Sequence, residues 1–220
     1  MSKDINELLE KRIGQGRVYR DMEMRAADSE DSEQMVVEGY ATTFNEAYKL
    51  WSEPGYTVME QVDARAFDEA DMSDVIMQYD HEGRVFARLK NKTLALDTDD
   101  HGLKIRANLG GTDIGRQLYQ EIKGGYTDKM SFAFRVAEDV REITENNETG
   151  DITVLRTITR IEKVYDVSAV SIPANDGTSI SARSYGEGVI AELKAERLRA
   201  EEVKAATAAK IAKIKILTEV

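Results

Sequence analysis

Apolar and polar residues alternate along most of the chain up to about residue 172, which is the pattern of half-buried β-strands. Gly, Asn and Asp residues separate these runs, as expected for turns between short strands. A charged, Asn- and Gly-containing stretch at 139–151 predicts a long hairpin tip, and 60–67 predicts a short helical or turn region. The predicted strands are 18–25, 35–44, 75–79, 84–90, 93–97, 102–109, 129–136, 152–161 and 163–172.

Helical spacing of apolar residues appears in three places. Residues 112–123 form the clearest helix, with Thr112 or Asp113 as N-cap and Gly124 after its end. Residues 3–13 predict a short amphipathic helix. After Gly188, Gly and Pro are absent and Ala, Glu, Lys and Arg dominate, so 189–217 predicts a solitary helix or a partly disordered tail.

These elements predict a mainly β, α+β fold with flanking helices. Short strands with frequent turns favour a closed or nearly closed antiparallel barrel over a parallel sheet, followed by a C-terminal helix. We expect three parts: 1–34 with a helix, a first strand and an acidic loop, 35–185 as the barrel, and 186–220 as a helical or disordered tail that interacts with partners.

Composition excludes several classes of function. The formal net charge of −11 argues against binding to nucleic acid or to anionic membrane surfaces. No apolar run approaches the roughly 20 residues of a membrane span, and the first residues do not resemble a signal peptide, so we expect a cytoplasmic protein. The absence of cysteine excludes disulfides and thiolate nucleophiles, and no His-x-x-x-His occurs. We therefore expect no metal and no cofactor.

The candidate chemistry begins with Ser131, a hydroxyl within an aromatic strand. It is either a small residue satisfied locally or a nucleophile, and a serine nucleophile needs an imidazole base and a group that orients the base. The chain has two histidines: His101 lies in a polar turn, whereas His81 ends an apolar strand. Asp166 lies inside another apolar strand, where a carboxylate must be paired, and an imidazolium is its natural partner.

Three segments together resemble the prohead maturation proteases of tailed bacteriophages. They are 79–88 with Asp80-His81-Glu82, 125–134 with Met130-Ser131-Phe132, and 164–175 with Asp166-Val167-Ser168 and Pro173-Ala174. Their order and spacing match that family's boxes, and the similarity covers about residues 36–183. The resemblance implies a serine endopeptidase with a barrel of the herpesvirus-assemblin type. Such an enzyme cleaves the major capsid protein, the scaffold and itself inside the immature shell in the host cytoplasm.

The resemblance also implies roles for residues. Ser131 falls on the nucleophile, His81 on the general base, and Asp166 on an acidic position that would orient the base. Glu60 and Asp80 are the rival orienting residues. No motif identifies the oxyanion hole, for which backbone N–H groups at 171–175 are candidates. The chain departs from the family pattern at Asp80, Glu82, Ala87, Lys129, Ala133 and Asp166.

A second hypothesis is a non-catalytic capsid-assembly or scaffold protein in which Ser131 is inert. The acidic charge and the predicted helical tail favour it, but such a protein has no need of His81, Ser131 and an acidic strand residue in this order. A non-peptidase hydrolase is a weaker interpretation, because no Gly-x-Ser-x-Gly surrounds any serine. The tail is compatible with a homo-oligomer.

Overall fold

Ten strands and two helices make up the part of the chain that the computed structural model describes, which is residues 18–27, 35–170 and 180–218. The predicted helix at 3–13 lies outside the described residues. Most predicted strands are found within about two residues of their predicted bounds. The elements are β1 (Val18–Ala26), β2 (Val36–Thr43), β3 (Tyr48–Glu53), β4 (Tyr56–Val62), β5 (Ile76–Tyr79), β6 (Glu82–Arg88), β7 (Leu94–Thr98), β8 (Gly102–Asn108), α1 (Asp113–Lys123), β9 (Lys129–Glu145), β10 (Ile152–Val170) and α2 (Ile180–Thr218).

The strands form one sheet that is open. Its order is β3-β4-β10-β9-β1-β2-β8-β7, and the β5–β6 hairpin joins it through β10. Within the described residues β3 and β7 stand at the two ends and do not pair with each other. The mainly β class with a C-terminal helix is confirmed, but the predicted closed or nearly closed barrel is not.

Strand β10 is the longest element of the sheet, and it pairs with three others. One side pairs antiparallel with β9 along nearly its whole length. The other side pairs with β4 near residue 155 and with β5 near residue 168, and both of these pairings are parallel. The sequence predicted an antiparallel sheet, and that prediction does not include these two parallel pairings between distant segments. The two predicted strands at 152–161 and 163–172 are a single strand with register shifts between Ile158 and Asp166.

Two predicted turn regions, one at the β9–β10 hairpin and one after β4, are only partly confirmed, because strand takes up part of each. Strand β9 continues to Glu145, so most of the expected hairpin tip at 139–151 is strand, and the turn begins only at residue 146. The register with the apolar half of β10 holds this charged segment in the ladder. Residues 64–67 of the predicted region 60–67 form turns, but Glu60 belongs to β4, where it is buried together with Val58 and Val62. Strand β3 was not predicted.

The core lies on one face of the strands. Phe132 and Phe134 stack with ring centroids 4.4 Å apart, and they are fully buried together with Met77 and Ile105. Alternate residues of β9 thus point into the core, which leaves the intervening positions on the opposite face. Full burial of such side chains stabilises the fold by about 1.5–3 kcal/mol each.

Helix α1 begins and ends where the sequence predicts. Thr112 is its N-cap, and its Oγ1 accepts a hydrogen bond from the Gly115 backbone N–H at 3.1 Å. A Cβ at Gly115 would collide with the Leu109 carbonyl oxygen, so glycine permits the close approach of the helix to the preceding loop. Leu118 and Ile122 are buried, which anchors the helix to the core.

The chain divides into two compact units, one that ends at Arg183 and one that begins at Ser184. The second unit consists of helix α2 beyond its first residues. All residues from 196 to 211 are exposed, including Leu198, Val203 and Ile211. Among the described helices, none combines the length and the apolar character needed to cross a membrane.

Candidate active site

A tight turn between β5 and β6 presents His81. Tyr79 pairs with Glu82, and the two central residues, Asp80 and His81, both have left-handed backbone angles, with φ of 49° and 59°. Positive φ at both central positions is the geometry of a type I′ hairpin turn, and it costs a non-glycine residue about 1–3 kcal/mol. The Asp80 backbone N–H donates to the Ala169 carbonyl at 2.8 Å, which ties the turn to β10.

The turn brings the His81 imidazole against the Asp166 carboxylate. The His81 Nδ1 lies 2.5 Å from Asp166 Oδ1, although the two residues are 85 positions apart in sequence. Both are buried, with exposed fractions of 6% and 2%. An ionised carboxylate can only accept, so Nδ1 carries the proton, and Nε2 is the basic nitrogen of the neutral ring.

Ser131 lies on strand β9, on the same face of the sheet as Asp166. In the β9–β10 register it stands opposite Ser168, which is two residues from Asp166 on β10. Cross-strand partners have Cβ atoms about 4.5–5.5 Å apart, and residues two apart on a strand share a face. The alternation that sends Phe132 and Phe134 into the core therefore places Ser131 on the face of the sheet that carries Asp166 and Ser168. Ser131 is 2% exposed.

Ser168 is the residue that the sequence analysis did not single out. Its Oγ donates to Asp166 Oδ1 at 2.7 Å, and the side chain is fully buried. The signal was present in the strand period of two, which puts positions 166 and 168 on one face. A serine two residues from a buried carboxylate is a natural donor to it.

Of the two rival orienting residues, Glu60 belongs to a different cluster. Its carboxylate is fully buried and accepts hydrogen bonds from Arg20, Tyr48 and Arg156. Burial alone would raise the pKa of Glu60, but the positive charges of Arg20 and Arg156 outweigh it, so the pKa is lowered. The same burial and the negative charge of Glu60 raise the pKa of the Tyr48 hydroxyl, which stays protonated. Glu60 is thus committed to an ion-pair network.

The second rival, Asp80, is the residue before His81 in the turn. The carboxylate in contact with Nδ1 is that of Asp166. The carboxylate that contacts the imidazole thus comes from β10, and Asp80 contributes its backbone N–H to the anchoring of the turn.

His101 occupies the exposed turn between β7 and β8, as expected. Its backbone N–H donates to Asp99 Oδ1 at 2.9 Å, and its ring meets the Tyr40 ring edge-on at 4.5 Å. These contacts stabilise a solvated turn. In the described ranges, no three His, Asp or Glu side chains gather into a group that could hold a metal ion.

The contacts of His81 suit base-assisted acyl transfer. A buried carboxylate fixes the tautomer and orientation of the imidazole, and it stabilises the imidazolium that forms when the ring takes a proton. On the adjacent strand β9, Ser131 carries a hydroxyl. The candidate oxyanion-hole segment at 171–175 lies outside the described residues.

Comparison with known proteins agrees with this chemistry. A family model described as caudovirus prohead serine protease matches residues 20–189 of the 220, a span that contains His81, Ser131 and Asp166. Searches of curated proteins and of solved structures gave no match. The matched span covers most of the chain and all ten strands except the first residues of β1, and we conclude that this chain belongs to the caudovirus prohead serine protease family and is a serine peptidase.

Proposed function

We propose that this peptidase cleaves the major capsid protein and the scaffold during prohead maturation, and that it also cleaves itself. Ser131 is the nucleophile, His81 the general base and Asp166 the residue that orients His81. The observation that carries this assignment is the 2.5 Å contact between His81 Nδ1 and Asp166 Oδ1 beside Ser131. Membership of the family favours this function over a non-catalytic assembly protein.

The reaction follows from the two nitrogens of the imidazole. His81 Nε2 takes the proton of the Ser131 hydroxyl while the oxygen attacks the carbonyl carbon of the scissile peptide bond. The resulting imidazolium then gives that proton to the leaving amine, the C–N bond breaks, and an ester to Ser131 remains. A water molecule, deprotonated by the same nitrogen, hydrolyses the ester and restores the serine.

Burial of the pair supports the role of Asp166. Because both side chains are almost fully shielded from solvent, the carboxylate and the imidazolium attract each other in a medium of lower dielectric than water. Asp166 thereby favours the state in which His81 holds the proton of the nucleophile. The oxyanion donors stay a prediction at 171–175.

The direct test is co-expression of the chain with its candidate capsid protein, with cleavage followed by intact mass. Ser131→Ala removes one oxygen and keeps the strand, so we expect cleavage to fall by about 10⁴-fold or more with an unchanged fold. Thr42→Val, which removes a buried hydroxyl on β2, is the control and should cleave normally. Cleavage by Ser131→Ala within tenfold of wild type would refute the assignment.

We further propose that helix α2 carries the enzyme into the assembling shell or joins two protomers. Support comes from Leu198, Val203 and Ile211, which are exposed apolar residues in the alanine-rich and charge-rich part of the helix. Deletion of 196–220 should leave peptide cleavage in solution unchanged and reduce incorporation into co-expressed shells. A full-length variant in which those three residues are replaced by serine is the matched control. It keeps the length of the chain and removes only the exposed apolar side chains. Loss of solution activity with unchanged incorporation would contradict the proposal.

A further inference from the structure

We propose that Ser168 is a positioning residue of this active site, which holds the Asp166 carboxylate in the orientation that His81 requires. The inference rests on the proposed function, because it assigns Ser168 a role in the chemistry of His81 and Ser131. Ser168 acts in addition to the triad and does not replace any of its members.

The geometry places two donors on a single carboxylate oxygen. Asp166 Oδ1 accepts from the Ser168 hydroxyl at 2.7 Å and contacts His81 Nδ1 at 2.5 Å. The two contacts come from different elements, since Ser168 lies on β10 and His81 in the β5–β6 turn. The hydrogen bond from Ser168 joins two residues of the same strand. It therefore fixes the rotamer of the Asp166 carboxylate independently of the imidazole.

Ser168 is suited to positioning and not to attack. Its proton is already donated to Asp166, and its side chain has no exposed surface. The Asp166 oxygen that could accept this proton already serves the imidazole. Ser131 on β9 stands opposite Ser168 and is the serine that the proposed function assigns to attack.

The Ser168 hydroxyl has two chemical consequences. It restricts rotation of the carboxylate, which keeps His81 aligned with Ser131. It also disperses part of the negative charge on Oδ1, because a hydrogen bond to an ionised group is stronger than one between neutral groups. Without the hydroxyl, more of that charge faces the imidazole and favours the protonated ring, so more alkaline conditions are needed to obtain the active base.

Kinetics of Ser168→Ala separate this role from a purely structural one. With a capsid-derived peptide as substrate, we expect kcat to fall about 10- to 100-fold, as for loss of a hydrogen bond to a charged group, with KM unchanged. The acid limb of the pH–rate profile should move to higher pH. The charged turn residues Asp80 and Glu82 are present in wild type and in Ser168→Ala, so they do not account for this difference. Thr42→Val loses a buried hydroxyl elsewhere and should change neither kcat nor the profile.

A pair of variants with equal shape guards against a folding defect. Ser168→Thr and Ser168→Val add the same volume to the strand, and only threonine keeps the hydroxyl. We expect threonine to retain more activity than valine and to keep the pH profile of wild type. Equal kcat and equal profiles in the two variants would overturn the inference.

A proton NMR measurement gives a readout that needs no substrate. A proton held between imidazole Nδ1 and a carboxylate resonates far downfield, and this signal should be present in wild type and in Ser131→Ala. Ser168→Ala and Ser168→Val should shift or broaden it. If Ser131→Ala still cleaves, the proposed function is refuted. If Ser131→Ala is inactive but Ser168→Ala and Ser168→Val keep the wild-type signal, kcat and pH profile, only the role of Ser168 is refuted.

Discussion

Strand β10 contributes to two buried charged clusters, one around Arg156 and one around Asp166, and they are arranged in different ways. In the first, every oxygen of Glu60 has two donors: Arg20 and Tyr48 donate to Oε1 at 2.5 Å, and Arg20 and Arg156 donate to Oε2 at 2.8 Å. Arg156 also pairs with Asp139. The charges of this cluster balance without any change of protonation.

In the second cluster the Asp166 carboxylate is bonded to His81 and Ser168, neither of which carries a permanent positive charge. A buried carboxylate in this setting gains most when its histidine becomes protonated. The comparison shows that two buried carboxylates beside the same strand can have partners of different kinds. Permanent cations make a carboxylate a structural element, and a titratable partner makes it available for chemistry.

The largest expected effect separates the two histidines. His81→Gln removes the proposed base, and loss of a triad base costs up to about 10⁶-fold in kcat. His101→Gln changes an exposed turn residue and should keep kcat within about twofold. Peptide cleavage by both purified variants is the measurement, and the reverse pattern would show that the wrong histidine was assigned.

Asp166→Asn tests the catalytic cluster next. The amide keeps the size of the side chain but does not hold His81 in the required tautomer, so we expect kcat to fall by about 10⁴-fold. Thermal unfolding should change little, because no permanent ion pair is broken. A fall of less than tenfold would mean that another group orients His81.

Glu60→Gln tests the structural cluster and should produce the opposite result. The substitution leaves Arg20 and Arg156 buried beside a neutral amide, so the free energy of unfolding should drop by about 3–5 kcal/mol while kcat of the folded enzyme is retained. Urea unfolding and peptide cleavage on one preparation measure both. Glu138→Gln, which breaks an exposed pair with Arg160, is the control and should leave the free energy of unfolding nearly unchanged. Normal stability with lost activity would place Glu60 in the chemistry.

The smallest expected effect is the pH dependence of stability. The folded-state pKa of Glu60 is lowered, so its contribution is complete above the ordinary glutamate pKa of about 4.3 and is lost as the pH falls towards the lowered value. The stability gap between wild type and Glu60→Gln should therefore be constant near neutral pH and narrow below about pH 4.5.

Other groups contribute equally to both proteins in this comparison. Hydrogen bonds from Lys163 and Arg88 lower the pKa values of Asp71 and Asp74, so these carboxylates add an acid-range slope that cancels in the difference. Urea unfolding between pH 3 and 7 is the measurement. A gap that widens on acidification would contradict the assigned direction for Glu60.

Local signals predicted much of the fold. Thr112, Gly115 and Gly124 define helix α1 through capping and close packing with nearby residues, and alternation alone places β2 and β8. The predicted turn region 60–67 includes Glu60, which lies in β4 instead, and its partners Arg20 and Arg156 are 40 and 96 positions away. The parallel pairing of β4 and β5 with β10 could not be predicted for the same reason, since long-range contacts leave no local sequence pattern.

The site was predictable to the extent that its residues break the pattern of their strands. Ser131 and Asp166 stood out as polar residues in apolar strands, and the requirement that Asp166 be paired is met by His81 and Ser168. Ser168 did not stand out, because a serine in a strand is unremarkable until its neighbour on the same face is considered. The two central positions of the left-handed turn, Asp80 and His81, are neither glycine nor asparagine, although Gly83 follows them with a positive φ.

The 85 positions between His81 and Asp166 separate the two residues in time as well as in sequence. At about 5–20 residues per second, a ribosome adds Asp166 roughly 4–17 s after His81. Strand β10 must then pair with β9 and β5 before the imidazole meets its carboxylate. A nascent chain shorter than about 166 residues therefore lacks this pair, which forms only once nearly all of the sheet has been synthesised.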